Sequence, residues 1–463
     1  MNEEFSNHLA SRVCRARFGY LILCFCLFTQ VTSAQVTIDG NTRQSSPKAN
    51  RERGLDMLAE IKRAIKDNYY DPKFRGINID ERFKLAAERI KTLNTYWQIF
   101  REIAQTVVDF NDSHTRFLPP SWANRPEYGF SLQMIGDTCY LVDVKKGSDA
   151  EAKGLKVGDV VLALGQYAVT RETLWKLNYL LYQIDPQEVL TLSIQSPDGR
   201  QRTVWVRAKF KTPEERLKET RSRETEKKQR PFKCNEVSTD LIACKLYTFL
   251  VDRDEMDKMM KEVRRHNKFI LDLRGNRGGY VTTVAHLTGY FFDHDVKISV
   301  EVTREKTKER IAKNLKEKAY HGELVVLIDS ASASASEVFA RVIQIEKRGK
   351  IVGDVSAGAV MASRVFGLAN LSGVFNVLVV GYAVNVSVSD FIMSDGKRLE
   401  GTGVMPDARV GPTGRALLEG NDPVLSHAAS LLGVKLTPEQ AGKLYFIAKQ
   451  PEDEEIEGKD EDK

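Results

Sequence analysis

The stretch from residue 241 to about 334 constrains the fold most, because apolar runs and helical patterns take turns there. Residues 241–249 read as a strand, 252–266 as an amphipathic helix, and Phe269-Ile270-Leu271-Asp272-Leu273 as a buried strand. A helical pattern at 282–291, the apolar run 324–328 and a helix opening near Ser334 continue the rhythm. Strands that alternate with helices join in parallel through crossovers. The expected core, over 232–425, is therefore an α/β domain with a mostly parallel sheet and flanking helices.

A chain of 463 residues has room for more than this one core. From 51 to about 108 the pattern is helical, with Leu55, Leu58, Ile61 and Ile65 on one face and Trp97, Phe100, Ile103 and Val107 on another. This predicts a small helical unit over 50–121, ending near Asn111-Asp112-Ser113-His114 and Pro119-Pro120. Residues 122–210 change character. Short strands such as Tyr140-Leu141-Val142 and Val160-Val161-Leu162-Ala163-Leu164 are broken by Gly147, Gly154 and Gly158, and a helical segment follows at 173–181. This is a compact β-rich module. Residues 211–231 carry mixed charge and almost nothing apolar, as a solvated linker would. The C-terminal segment, 426–463, ends in a strongly acidic tail expected to be disordered.

The N-terminus reads as a leader. Arg12, Arg15 and Arg17 precede an apolar run over 18–31, then Thr32-Ser33-Ala34-Gln35 supplies small residues for a cut. A signal peptide over 1–34 places the chain outside the cytoplasm, periplasmic or extracellular; the alternative is an uncleaved anchor. A polar linker is expected over 36–50. Membrane association is expected only through this leader. The formal charge of +6 is small and the basic residues are interspersed with acidic ones, so no nucleic-acid surface is implied. Of six cysteines, Cys139, Cys234 and Cys244 lie beyond the leader, and the last two could bridge across adjacent strands. No paired C-x-x-C and no H-E-x-x-H is present, so neither a metal nor an organic cofactor is expected.

Three places could carry chemistry. Ile328-Asp329-Ser330-Ala331-Ser332-Ala333-Ser334-Ala335-Ser336-Glu337 puts small side chains between a buried strand and a helix N-terminus. The free N–H groups and positive dipole end there suit a developing oxyanion. The same pattern also fits a plain capping box on Ser334 and Glu337. Asp272-Leu273-Arg274-Gly275-Asn276-Arg277-Gly278-Gly279-Tyr280 is a strand followed by a glycine-rich turn, which lets main chain approach a ligand closely. Ser113-His114-Thr115 offers one of few histidines.

Together, in their order along the chain, the three places resemble the tail-specific (C-terminal-processing) serine peptidases and, in the site, their tricorn-core relatives. The matching residues are Asp112-Ser113-His114-Thr115, Tyr128-Gly129-Phe130 with Gly154-Leu155-Lys156-Val157-Gly158-Asp159, Asp272 to Gly279, and Ser332 to Glu337. The resemblance spans roughly 50–412 and implies that 122–210 is a PDZ-like module. One position departs. The tail-specific branch activates its serine with a lysine, and Ala359 in Gly353-Asp354-Val355-Ser356-Ala357-Gly358-Ala359-Val360 stands in that place. Lys347 and Lys350 lie on the wrong side of the turn.

The tricorn-core branch instead uses serine, histidine and glutamate, with a serine beside the histidine. Leu399-Glu400-Gly401-Thr402-Gly403-Val404-Met405-Pro406-Asp407 resembles the segment that carries that glutamate. The resemblance implies Ser334 as nucleophile, His114 as base, and Glu400 with Ser113 as its orienting partners, with Asp395 and Asp390 as alternatives to Glu400. It implies an oxyanion hole from the N–H of Ala335 and that of Gly278 or Gly279. Tyr128, Gly129 and Phe130 would form the loop that takes a peptide carboxylate. The expected activity is an exported serine endopeptidase acting on protein or peptide substrates near their C-termini. The alternative, prompted by Ala359, is a catalytically inactive peptide- or ligand-binding member of the same scaffold.

Overall fold

The computed structural model describes residues 46–120, 126–210, 215, 231–369 and 381–444. The expected leader, nearly all of the charged stretch and the acidic tail lie outside the described residues. Helices α1 (Pro47–Asn68), α2 (Ile79–Ile90) and α3 (Tyr96–Val108) form the N-terminal unit. The first begins inside the stretch expected to be a linker up to 50. A reciprocal capping box between Thr95 and Gln98 starts α3. The apolar faces read from the sequence are the buried ones: Leu58, Ile61, Ile65, Phe100, Ile103 and Val107 are all fully or nearly fully buried. The short strand β1 (Arg116–Leu118) follows.

Residues 130–207 build a sheet of β2 (Phe130–Ile135), β3 (Thr138–Val144), β4 (Val160–Leu164), β5 (Val189–Gln195) and β6 (Gln201–Arg207), all paired antiparallel in that order. Strand β2 is an edge, and helix α4 (Leu174–Tyr179) packs with the module's own core.

The large domain contains the expected α/β layer. Strands β7 (Phe232–Ser238) and β8 (Leu241–Leu246) form a hairpin, and α5 (Arg253–Val263) leads to β9 (Lys268–Asp272) and α6 (Val281–Thr288). Next come β10 (Val296–Thr303), β11 (Thr307–Ala312), β12 (Glu323–Ile328), α7 (Ala335–Ile345) and β13 (Lys350–Gly353). Strands β14 (Met361–Ala369), β15 (Gly381–Met393) and β16 (Ala408–Arg409) and helix α8 (Pro423–Leu431) complete it. The six-stranded sheet runs β7-β8-β9-β12-β13-β16, parallel except for β7.

Both faces of this sheet are covered. In β9 and β12, Phe269, Leu271, Leu324, Val326 and Ile328 face the core under α5, α6 and α7, whereas Ile270, Val325 and Leu327 face α8. That explains continuous apolar runs rather than alternation, each fully buried side chain contributing about 1.5–3 kcal/mol.

A second sheet, absent from the sequence reading, joins β1, β15, β10 and β11, with β14 pairing β15. Tyr382, Val384 and Val386 on β15 pack into the N-terminal helical core. This sheet carries the helical unit to the α/β layer. Among the described residues no helix is long and apolar enough to cross a membrane, and Cys234 and Cys244, opposite each other on β7 and β8, are bridged. Cys139 is buried and unbridged.

Candidate active site

Strand β12 delivers the chain to a turn that the Asp329 carboxylate organises. Its Oδ1 accepts from the N–H of Gly275 (2.9 Å), Ala331 (3.0 Å) and Ser332 (2.9 Å), tying the turn after β9 to the turn after β12. Ser332 Oγ donates to the Leu273 carbonyl at 2.8 Å, and Ser336 Oγ to the Asn276 carbonyl at 2.9 Å. The serines flanking Ser334 are thus spent on structure. Ser334 has φ 56° and ψ −117°, a sparsely populated conformation for a residue with a side chain, which costs about 1–3 kcal/mol and persists only where the surroundings enforce it.

Gly278 shows how tightly the turn is enforced. With φ +93°, a Cβ there would stand 2.7 Å from the Ser334 Cβ and 2.9 Å from the Ala335 nitrogen. No other residue type fits. At Gly279 a Cβ would stand 2.2 Å from the Phe249 carbonyl carbon. The Gly278 N–H donates to Asn276 Oδ1 at 2.8 Å, and Asn276 Nδ2 donates to the Leu246 carbonyl at 2.9 Å. The Ala335 N–H sits in the first turn of α7, where main-chain donors have no intrahelical partner.

On the other side, Asp112 builds the turn that presents Ser113 and His114. Its Oδ1 accepts from the N–H of His114 (2.9 Å) and Thr115 (2.6 Å) and from Ser387 Oγ (2.9 Å), and its Oδ2 from Tyr69 Oη (2.9 Å). Asn385 Nδ2 donates to the His114 carbonyl at 2.9 Å. Strand β15 therefore anchors the histidine.

Glu400 does not touch His114 directly. Its Oε1 accepts from the Ser113 N–H (2.7 Å), and its Oε2 from Ser113 Oγ (2.9 Å) and the Val360 N–H (2.8 Å). Ser113 Oγ lies 2.6 Å from His114 Nδ1. An ionised carboxylate only accepts, so the single hydroxyl proton of Ser113 goes to Glu400 and the hydroxyl oxygen must accept from Nδ1–H. That selects the tautomer with a free Nε2 lone pair. Burial pushes His114 below its ordinary value, opposed by Asp112 and helped by Arg116, which favours a neutral imidazole near pH 7. Burial raises Glu400, with the Ser113 and Val360 donors pulling the other way.

The alternatives to Glu400 are engaged elsewhere. Asp390 binds Arg398 at 2.6 Å, and Asp395 pairs with Arg341. The buried Lys245 donates to the Arg274 carbonyl at 2.6 Å and lies 3.5 Å from Asp272, within a network closed by Arg274 and Asp422. Ala359, at the lysine position, has its N–H on Glu337.

The expected peptide loop is less open than its residue types suggest. Tyr128 is buried, with its hydroxyl donating to the Gln187 carbonyl at 2.8 Å, and Phe130 is also buried. Gly129, at φ +74°, has Ser148 where a Cβ would go. Only main chain remains there to meet a ligand. The edge strand β2 docks on the core, with Gln133 Nε2 on Asp329 Oδ2 (2.7 Å) and Ser330 Oγ on the Met134 carbonyl (2.5 Å). Arg116 bridges the module to the Ser113 turn: its Nη2 donates to the Ser113 carbonyl at 2.5 Å, and its guanidinium lies 5.1 Å from the Trp175 ring of α4.

Sequence reasoning missed Asp112 as the turn builder, Asn276, Asp329 and Ser356. Each is a short polar side chain inside one of the quoted stretches, a residue type that commonly bonds local main chain. That was the available signal.

Residues 242–410 match the model of peptidase family S41. The chain is 27% identical over 266 residues to the "Tail-specific protease" of Haemophilus influenzae, covering 53% of this chain and 36% of that one. It is 26% identical over 341 residues to "Carboxyl-terminal-processing peptidase 2, chloroplastic" of Arabidopsis thaliana, covering 68% and 63%. The chain thus spans about a third to somewhat under two thirds of these relatives' lengths. Among solved structures, mature CPAF complexed with lactacystin shares the fold, with TM-score 0.61 and 14% identity over 86% of this chain and 98% of that one. Residues 242–410 therefore form a peptidase family S41 domain, in a chain related to the tail-specific and carboxyl-terminal-processing proteases.

Proposed function

We propose that this chain is an exported serine endopeptidase that works by a Ser-His-Glu acyl-transfer mechanism. The observation that carries the reading is the hydrogen-bonded line Glu400–Ser113–His114, which fixes the imidazole tautomer a general base needs. Ser334 Oγ attacks the scissile carbonyl carbon while His114 Nε2 takes its proton. The oxyanion is held by the Ala335 N–H and a second N–H from Gly278 or Gly279. Because Asn276 already engages the Gly278 N–H, Gly279 is the one we assign. The tetrahedral intermediate collapses as His114 protonates the leaving amine, and water repeats the sequence on the acyl-enzyme. Substrates are proteins or peptides, and the 122–210 module, PDZ-like in this reading, engages them near their C-termini by strand addition at the start of β2, ahead of its core contacts at Gln133 and Met134.

The leader over 1–34 supports export. The non-catalytic alternative rests on Ala359; the Glu400–Ser113–His114 line supports a base other than lysine. Hydrolysis of a fluorescein-labelled unfolded protein tests the reading. Wild-type turnover should vanish in Ser334→Ala and fall at least about a thousandfold in His114→Ala. Equal turnover in Ser334→Ala would remove that serine from the mechanism, and inactivity of folded wild type would favour the binding member.

A further inference from the structure

We propose that Glu337 is a positioning residue whose ionised carboxylate clamps the nucleophile turn to residues 356–359, and that its protonation releases the clamp. This rests on the serine-peptidase reading above. Glu337 lies in the first turn of α7 and is fully buried. Its Oε2 accepts from the Ser334 N–H and the Ala359 N–H, each at 2.9 Å. Its Oε1 accepts from the Gly358 N–H at 2.7 Å and Ser356 Oγ at 2.6 Å. Ser356 Oγ also accepts from the Val404 N–H at 2.6 Å, so its own proton is committed to Glu337. Every partner is a donor. A protonated Glu337 would turn one of these contacts into donor against donor. The pairing is therefore built for the charged form, well beyond the single bond to Ser334 that helix capping requires.

The clamped segment joins the two halves of the site. Val360, next in the chain, donates to Glu400 Oε2 at 2.8 Å, and the Gly401 N–H donates to the Gly358 carbonyl at 2.8 Å. Glu337 thus holds one end of a short strip of main chain and Glu400 the other. One carboxylate is bonded to the Ser334 N–H, and the other to Ser113, beside His114. Nucleophile and base are registered through that strip. The charged groups on the surrounding segments are paired elsewhere: Asp354 with Arg171 and Arg409, Arg341 with Asp395, Glu400 with Ser113 and Val360, and Asp112 with its own turn. Of these and His114, none hydrogen-bonds Glu337 among the described residues. Burial pushes Glu337 up to about 7 against the pull of its four donors.

Stability and activity then run in opposite directions. A carboxyl raised on folding from 4.5 to about 7 contributes stability that is fully present below 4.5 and is lost as pH rises through about 7. An activity that needs the ionised clamp appears over the upper part of that window. A purely structural Glu337 would make activity follow stability instead.

The test is the rate of fluorophosphonate labelling at Ser334 between pH 5.5 and 9, with thermal midpoints measured alongside, on the mature chain. Wild type should show an acid limb in which Glu337 titrates near neutrality and His114 below it. Glu337→Gln should label about 10–100-fold more slowly on the plateau and lose the step near neutrality. Ser356→Ala removes one donor to the carboxylate and should shift the limb to higher pH; this variant decides the matter if Glu337→Gln does not fold. Wild-type-like rate and limb in Glu337→Gln, or an unshifted limb in Ser356→Ala, overturns the proposal while leaving the peptidase reading intact. Absence of wild-type labelling at Ser334 overturns both.

Discussion

Replacing Ser113 by alanine tests the relay at its centre. The substitution removes the 2.6 Å contact to His114 Nδ1 and the 2.9 Å bond to Glu400 Oε2, while the main-chain N–H keeps its 2.7 Å bond to Glu400 Oε1. Glu400 also keeps Val360, so the carboxylate loses one of three donors and stays in place while the imidazole loses its Nδ1 partner. In the proposed mechanism His114 becomes positively charged in the transition state, where that partner amounts to a hydrogen bond to a charged group, about 1.5–3 kcal/mol. The corresponding loss of rate is about 10–150-fold. The variant should fold normally, with a midpoint within about 4 °C of wild type. Without the Nδ1 acceptor the imidazolium is less stabilised, so the histidine limb of the pH profile should move further down. Second-order labelling by a fluorophosphonate, read from pH 5.5 to 9, measures both effects. A plateau within threefold of wild type would mean that something other than Ser113 orients His114.

Gly278→Ala places a methyl 2.7 Å from the Ser334 Cβ at a φ of +93°. Labelling should fall about a hundredfold, as expected for a misplacement on the order of 1 Å, with about 1–3 kcal/mol of lost stability by urea unfolding; near-normal labelling would mean the turn tolerates displacement. Reducing the Cys234–Cys244 bridge frees a loop with a sequence separation of 10, for which chain entropy gives about 2–3 kcal/mol. The thermal midpoint should drop by several degrees in reductant while labelling of the folded protein at 25 °C is unchanged, because the bridge lies in the β7–β8 hairpin and not in the relay.

The legible parts of this chain were those written in local pattern. Apolar runs such as 269–273 and 324–328 announced strands buried on both faces, and the 3.6-residue spacing of Leu58, Ile61 and Ile65 marked a buried helix face correctly. The candidate site residues stand out in the sequence only through their combined order, since Ser334 with Glu337 alone reads as a helix cap. The second sheet was missed although β15 carries a period-2 signal, with Tyr382, Val384 and Val386 facing the helical core. Its intervening Asn385 and Ser387 are spent on the His114 turn, and that pairing spans some 270 residues of chain. Contacts of that range leave no local mark. Tyr128 and Phe130 have the aromatic character of a binding loop but are consumed by the module's core, which only packing reveals. Glu337 shows the same limit: one of its bonds is local, and three reach residues 356–359.

The central claim is that Ser334 is a nucleophile activated by His114. Reaction of the purified protein with a fluorophosphonate, followed by peptide mapping, tests it most directly. The account predicts a single adduct on Ser334 in wild type and almost none in a folded His114→Ala variant. An adduct on another residue, or equal labelling of Ser334 without His114, would contradict it.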